Sequence, residues 1–188
     1  MILPPGATSF APHTLDLRAF KTACHRAARA FQGRVESIVP PGAASSFAVA
    51  KFAFPVRRVA VLHHAVLPWA TVREAAAEPD EHVDAPGSGT DDTGSGSRKP
   101  AHWAALTQRR SDLGALLSDD RPEEWPALDG DALEEWGAAF DGLRVLTPAE
   151  LDTDITRADL TSLGRDELTQ VRYWQPATVG ELLFNRWD

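Results

Sequence analysis

The sequence predicts an α+β fold, an antiparallel sheet of three to four strands packed by helices in a single domain. Residues 46–69, SFAVAKFAFPVRRVAVLHHAVLPW, form the densest alternating apolar stretch in the chain. The residues before it read as a helix and then an extended segment, joined by short turns. No crossover helix fits between the strands, as a doubly wound sheet would require.

The elements follow in order. Thr14 is a candidate N-cap, and Leu17, Phe20, Cys24, Ala27 and Phe31 recur at spacings of three and four, which places one apolar stripe on a helix. Gly33 is expected to end that helix in the left-handed conformation. Residues 34–39 (RVESIV) begin an extended segment, and Pro40-Pro41-Gly42 turns the chain. In residues 46–54, Phe47, Val49 and Ala53 alternate with Ala48, Ala50, Phe52 and Phe54. In residues 57–67, Val59, Val61, His63, Ala65 and Leu67 alternate with Arg58, Ala60, Leu62, His64 and Val66. Side chains alternate along a strand, so two largely apolar sets predict strands covered on both faces. Pro55 cannot donate to a ladder and marks the tight connection of a hairpin.

The domain layout expected from these patterns is residues 1–76 as helix plus meander, residues 77–100 as a flexible acidic loop rich in Gly and Ser, and residues 101–188 as a helical second half completing the same domain. In that second half, Trp103, Leu106, Leu113 and Leu117 predict a helix over 101–117. Residues 119–141 hold nine acids and one base. Asp131 with Glu134 has capping-box spacing, and Leu133, Trp136 and Phe140 predict a short amphipathic helix ended by Asp141-Gly142. Residues 143–146 read as a short strand. Thr147-Pro148-Ala149-Glu150 is a capping box with proline at the first helical position, and Thr178 with Glu181 repeats the spacing before Val179, Leu182, Leu183 and Trp187.

Composition narrows the function classes. The chain has 188 residues, and one of that length buries roughly 70% of the surface its unfolded form exposes. A single cysteine excludes an intramolecular disulfide and suits a reducing compartment. The start MILPPGATSF lacks the basic opening and long apolar run of a secretion signal, and no later run reaches membrane-spanning length, so a cytoplasmic location and no membrane partner are expected. The net charge of −8 is unevenly spread: residues 1–75 have three acids and nine bases, residues 76–188 twenty-four acids and ten bases. Either the halves pair with each other or one face is kept for a charged partner.

His63 and His64 are the candidates for acid-base chemistry, but neighbours on a strand point to opposite faces and cannot readily share a metal. Cys24 lies in the apolar stripe of the first helix, which predicts a buried, inert thiol. Asp91-Asp92 and Asp129-Gly130-Asp131 lack a complete ligand set and read as linker, turn and cap residues, so no metal and no cofactor are expected. Arg57-Arg58, Arg109-Arg110 and the bases of the first helix (Arg18, Lys21, Arg26, Arg29) come without a recognition motif on an acidic chain, so nucleic acid is not the expected partner.

The function these features point to is a cytoplasmic protein-binding or accessory module, immunity- or antitoxin-like or a subunit of a larger bacterial assembly. It would act through an acidic, tryptophan-containing surface on a protein with a basic surface, with self-association left open. The residues assigned to that surface are Glu123, Glu124, Trp125, Asp129, Asp131, Glu134, Glu135, Trp136 and Trp187. The alternative is a small hydrolase using His63 or His64 with a carboxylate from the second half.

Overall fold

The computed structural model describes residues 1–9, 12, 14–42, 45–55, 57–76 and 121–186, with Ala76 described by its backbone only. The expected loop over 77–100 and helix over 101–117 lie outside the described residues. The elements are α1 (Leu17–Ala30), β1 (Arg34–Val39), β2 (Phe47–Ala53), β3 (Arg57–His64), β4 (Trp69–Ala76), α2 (Gly130–Ala139), β5 (Arg144–Val145), α3 (Pro148–Leu151), a 3-10 turn (Ile155–Arg157), α4 (Arg165–Trp174) and α5 (Val179–Leu183).

The class is α+β, but the sheet differs from the one expected. It has five strands in the order β1-β2-β3-β4-β5, and it is mixed. The first four form an antiparallel meander, with Val49 opposite Leu62 and Leu62 opposite Thr71. The fifth runs parallel to β4, pairing Trp69 with Arg144 and Ala70 with Val145. The third strand ends at His64 rather than Leu67, because residues 65–68 turn the chain back into β4. That fourth strand escapes a periodicity reading: its charged Arg73-Glu74 pair and terminal alanines look like helix, and pairing with β3 overrides the local preference.

Both faces of the sheet are covered, as the double alternation implies. On one face Phe47, Val49, Ala60 and Leu62 pack with Leu3, Leu146, Leu151, Val179, Leu182 and Leu183. On the other, Ala48, Ala50, Phe52, Val59, Val61 and Val72 meet Phe20, Cys24 and Ala27 of α1 and Leu133 and Trp136 of α2. The result is a three-layer arrangement, with α1 and α2 on one side and the closing segments on the other.

The helix ends are set by specific side chains. The N-cap of α1 is Asp16, not Thr14, with Oδ1 accepting the N–H groups of Arg18 and Ala19 at 3.0 Å each. Thr14 instead donates its hydroxyl to the Val66 carbonyl at 2.7 Å, tying the helix entry to the β3–β4 turn. At the other end the left-handed residue is Gln32 (φ 57°), while Gly33 serves a different purpose. A Cβ at Gly33 would run into the Phe54 ring, so the position needs glycine for close approach.

The box at Thr147 forms with both arms, the Glu150 N–H on Thr147 Oγ1 at 3.3 Å and the Thr147 N–H on Glu150 Oε2 at 2.9 Å. At Thr178 only half forms, because Glu181 Oε2 accepts from Ala177 instead. The box expected at Asp131 and Glu134 does not form. Asp129 holds the N-cap position of α2 without a side-chain cap bond.

Candidate functional site

Where the structure places the acidic segment depends on how residues 121–129 cross the edge of β4. The Glu74 N–H bonds the Pro126 carbonyl at 2.9 Å and the Leu128 N–H bonds the Val72 carbonyl at 2.8 Å, while Ala127 bridges Arg73. The chain thereby passes from one face of the sheet to the other. Trp125 packs with the cluster around Leu62 and Leu146, and Leu128 with the cluster around Phe52 and Trp136.

On the Trp125 side, Glu123 is held by Arg186, whose Nε lies 2.9 Å from Oε1. Arg73 donates to the Trp125 carbonyl at 2.8 Å. Burial pushes the Arg73 guanidinium below its usual range, against the opposing pull of the Asp152 and Glu123 carboxylates. Through Arg73 the basic first half meets the acidic second half. Arg58 lies 5.5 Å from the Trp125 ring centroid, so that half-buried ring is engaged from within the molecule. Glu124 beside it is exposed.

On the opposite side, Asp129, Asp131, Glu134 and Glu135 are exposed on and just before α2. No ion pair involves these four among the described residues. Trp136 does not join them. It is 1% exposed, stacked on Phe31 at 4.7 Å and met edge-on by Phe52 at 5.0 Å, and so belongs to the core rather than to a surface. The apolar spacing of Leu133, Trp136 and Phe140 carried that signal in the sequence. Trp187 lies outside the described residues.

The two histidines point to opposite faces, as adjacency in a strand requires. His64 is fully buried, and its Nδ1 accepts the N–H groups of Val66 at 3.1 Å and Leu67 at 3.0 Å. A nitrogen accepting two hydrogen bonds carries no proton, so the proton is on Nε2, directed at the Ala7 carbonyl 3.1 Å away and close to Ser9 Oγ. The ring locks the β3–β4 turn to the amino-terminal loop. His63 is 7% exposed and its Nδ1 lies 2.7 Å from the His64 carbonyl, an acceptor only, which assigns that proton to Nδ1. Burial lowers the His63 pKa from its ordinary value, against two backbone hydrogen-bond contributions that raise it. Phe20 contacts the ring edge-on at 5.2 Å. No hydrogen bond joins His63 to a carboxylate among the described residues.

Burial raises the Cys24 thiol to about 12, the condition of an inert core sulfur. Among the described residues no cluster of three or more His, Cys, Asp or Glu side chains could hold a metal ion, and no helix is long and apolar enough to cross a membrane.

The chain matches no protein-family model, no curated protein and no solved structure. The functional reading therefore rests on its own residues.

Proposed function

We propose that the protein is a binding or accessory module that recognises a basic protein surface through the exposed acids on and beside α2. One observation supports this reading above the others: Asp129, Asp131, Glu134 and Glu135 stand exposed within seven residues, with no ion pair among the described residues. Four other carboxylates are matched, Glu36 by Arg34 and Arg58, Glu74 by Arg57, Glu150 by Arg144 and Glu123 by Arg186. A one-signed exposed patch steers and selects a partner of opposite charge more than it stabilises its own fold. The surface is narrower than the sequence implies, because Trp136 turns inward and Trp125 lies with the other cluster. A cytoplasmic location and a role in a bacterial assembly belong to the same proposal.

The test is to purify the tagged protein gently from its native cells, identify any stoichiometric companion and measure its affinity for the purified chain. Changing Asp129, Asp131, Glu134 and Glu135 to Lys should abolish binding while leaving the melting temperature within a few degrees. Unchanged affinity in the reversed variant overturns the reading.

A second reading, a small hydrolase using His63, is favoured by one observation: Asp141 from the second half borders the same cavity as the ring. It requires that His63→Ala remove hydrolysis of a test ester without lowering the melting temperature.

A further inference from the structure

Between the start of α1, the end of β3 and the turn after α2 lies a cavity of about 200 Å³. Its apolar wall includes Leu15, Phe20 and Phe140, and its polar side chains are Asp16, His63 and Asp141. All three polar groups present acceptors. The Nδ1 proton of His63 is committed to the His64 carbonyl, which leaves Nε2 as the bare nitrogen. Asp16 uses Oδ1 for the N–H groups of Arg18 and Ala19, and Oδ2 remains as a second acceptor. Asp141 is exposed at the mouth. None of the lining side chains offers a donor.

A cavity lined by aromatic rings and by acceptors of net negative charge selects a ligand with the opposite complement. We propose that it binds a small organic cation, a protonated primary amine on a body no larger than one aromatic ring. The ammonium group donates to His63 Nε2 and to the Asp141 and Asp16 carboxylates, and the ring rests on Phe20 and Phe140.

Three features support the cationic choice. The N-terminal amides of α1 that would repel a cation are already capped by Asp16. The C-terminal end of α2 borders the cavity, and its Ala139 carbonyl already attracts the Arg26 guanidinium at 3.0 Å. The lowered pKa of His63 keeps the ring neutral, so its lone pair is free to accept. The volume sets the size limit, since it falls below the range of roughly 300–1,000 Å³ typical of drug-sized ligands. This site shares no residue with the acids of the proposed protein-binding surface, so either can fail alone.

Benzylammonium, benzyl alcohol and benzoate, titrated into the whole protein at pH 8, separate the outcomes. The His63 ring protons are followed by NMR and assigned by their loss in His63→Phe. Saturable movement with benzylammonium is expected, weakened roughly tenfold or more in Asp141→Asn and absent with benzoate. Asp141 is exposed, so its substitution leaves the fold intact and separates ligand loss from misfolding. Absence of saturable movement with benzylammonium, equal binding of the alcohol or of benzoate, or undiminished affinity in Asp141→Asn overturns the assignment.

Discussion

Glu167 on α4 accepts the backbone N–H of Gly6 at 2.9 Å, across 161 positions of sequence. The same oxygen receives the Thr8 hydroxyl at 3.2 Å, and the other receives the Gly164 N–H at 3.0 Å. One buried carboxylate thus clamps the amino-terminal loop, caps its own helix and closes the sheet face around Leu3. Glu167→Ala strands those donors and should lower stability by about 1–3 kcal/mol. Denaturant titration reads the change, and a midpoint equal to wild type would show that the loop is held by other contacts.

Trp136 sits at the centre of an aromatic cluster with Phe31, Phe52 and Phe140, their ring centroids 4.7, 5.0 and 6.2 Å from its own. Trp136→Ala should cost about 3–5 kcal/mol, as expected for a buried aromatic truncated to a cavity. A loss under 1 kcal/mol in urea unfolding would mean the ring is not enclosed in solution.

At Gly33 the prediction is a coupling rather than a single value. Gly33→Ala pushes a methyl group into the Phe54 ring and should destabilise by about 1–3 kcal/mol. Against a Phe54→Ala background the same substitution should cost much less. Equal costs in the two backgrounds, measured as a double-mutant cycle, would remove Phe54 as the reason for glycine.

The histidine prediction concerns pH. The folded-state pKa of His63 lies below the ordinary 6.5, so below that pH the unfolded chain binds the proton more readily than the folded one. Stability from the neutral ring is fully present above 6.5 and is lost as pH falls from there toward the lowered folded value. His63→Phe should flatten that part of the profile measured by thermal unfolding at closely spaced pH values. An identical slope in the variant would assign the acid sensitivity elsewhere, with His64 the next residue to substitute.

Much of the fold is local enough to read from residue order. Two-sided alternation in residues 46–64 marks a strand pair covered on both faces, because side-chain period follows directly from backbone geometry. The Thr147–Glu150 box needs only four adjacent residues, and it forms as written. Two local motifs gave way to a neighbour in space, whereas the box expected at Asp131 and Glu134 is absent with Asp129 at the N-cap position. Thr14 was drawn to the Val66 carbonyl and left the cap to Asp16, and the left-handed turn moved to Gln32 because Gly33 was needed under Phe54.

What the sequence determined by itself is therefore the α+β class, the apolar faces and the starts of α3 and α5 at Thr147 and Thr178, since each depends on contacts within a few residues. Tertiary structure alone decided that β5 joins β4 in parallel, that residues 126–128 carry the acidic segment over a sheet edge, and that Trp125 packs with one face of the sheet while Leu128 packs with the other. It also decided the neighbours of the two histidines, one locked between backbone groups and one facing a cavity. Those outcomes rest on pairings between residues many positions apart, whose free energy appears only when the whole chain closes on itself.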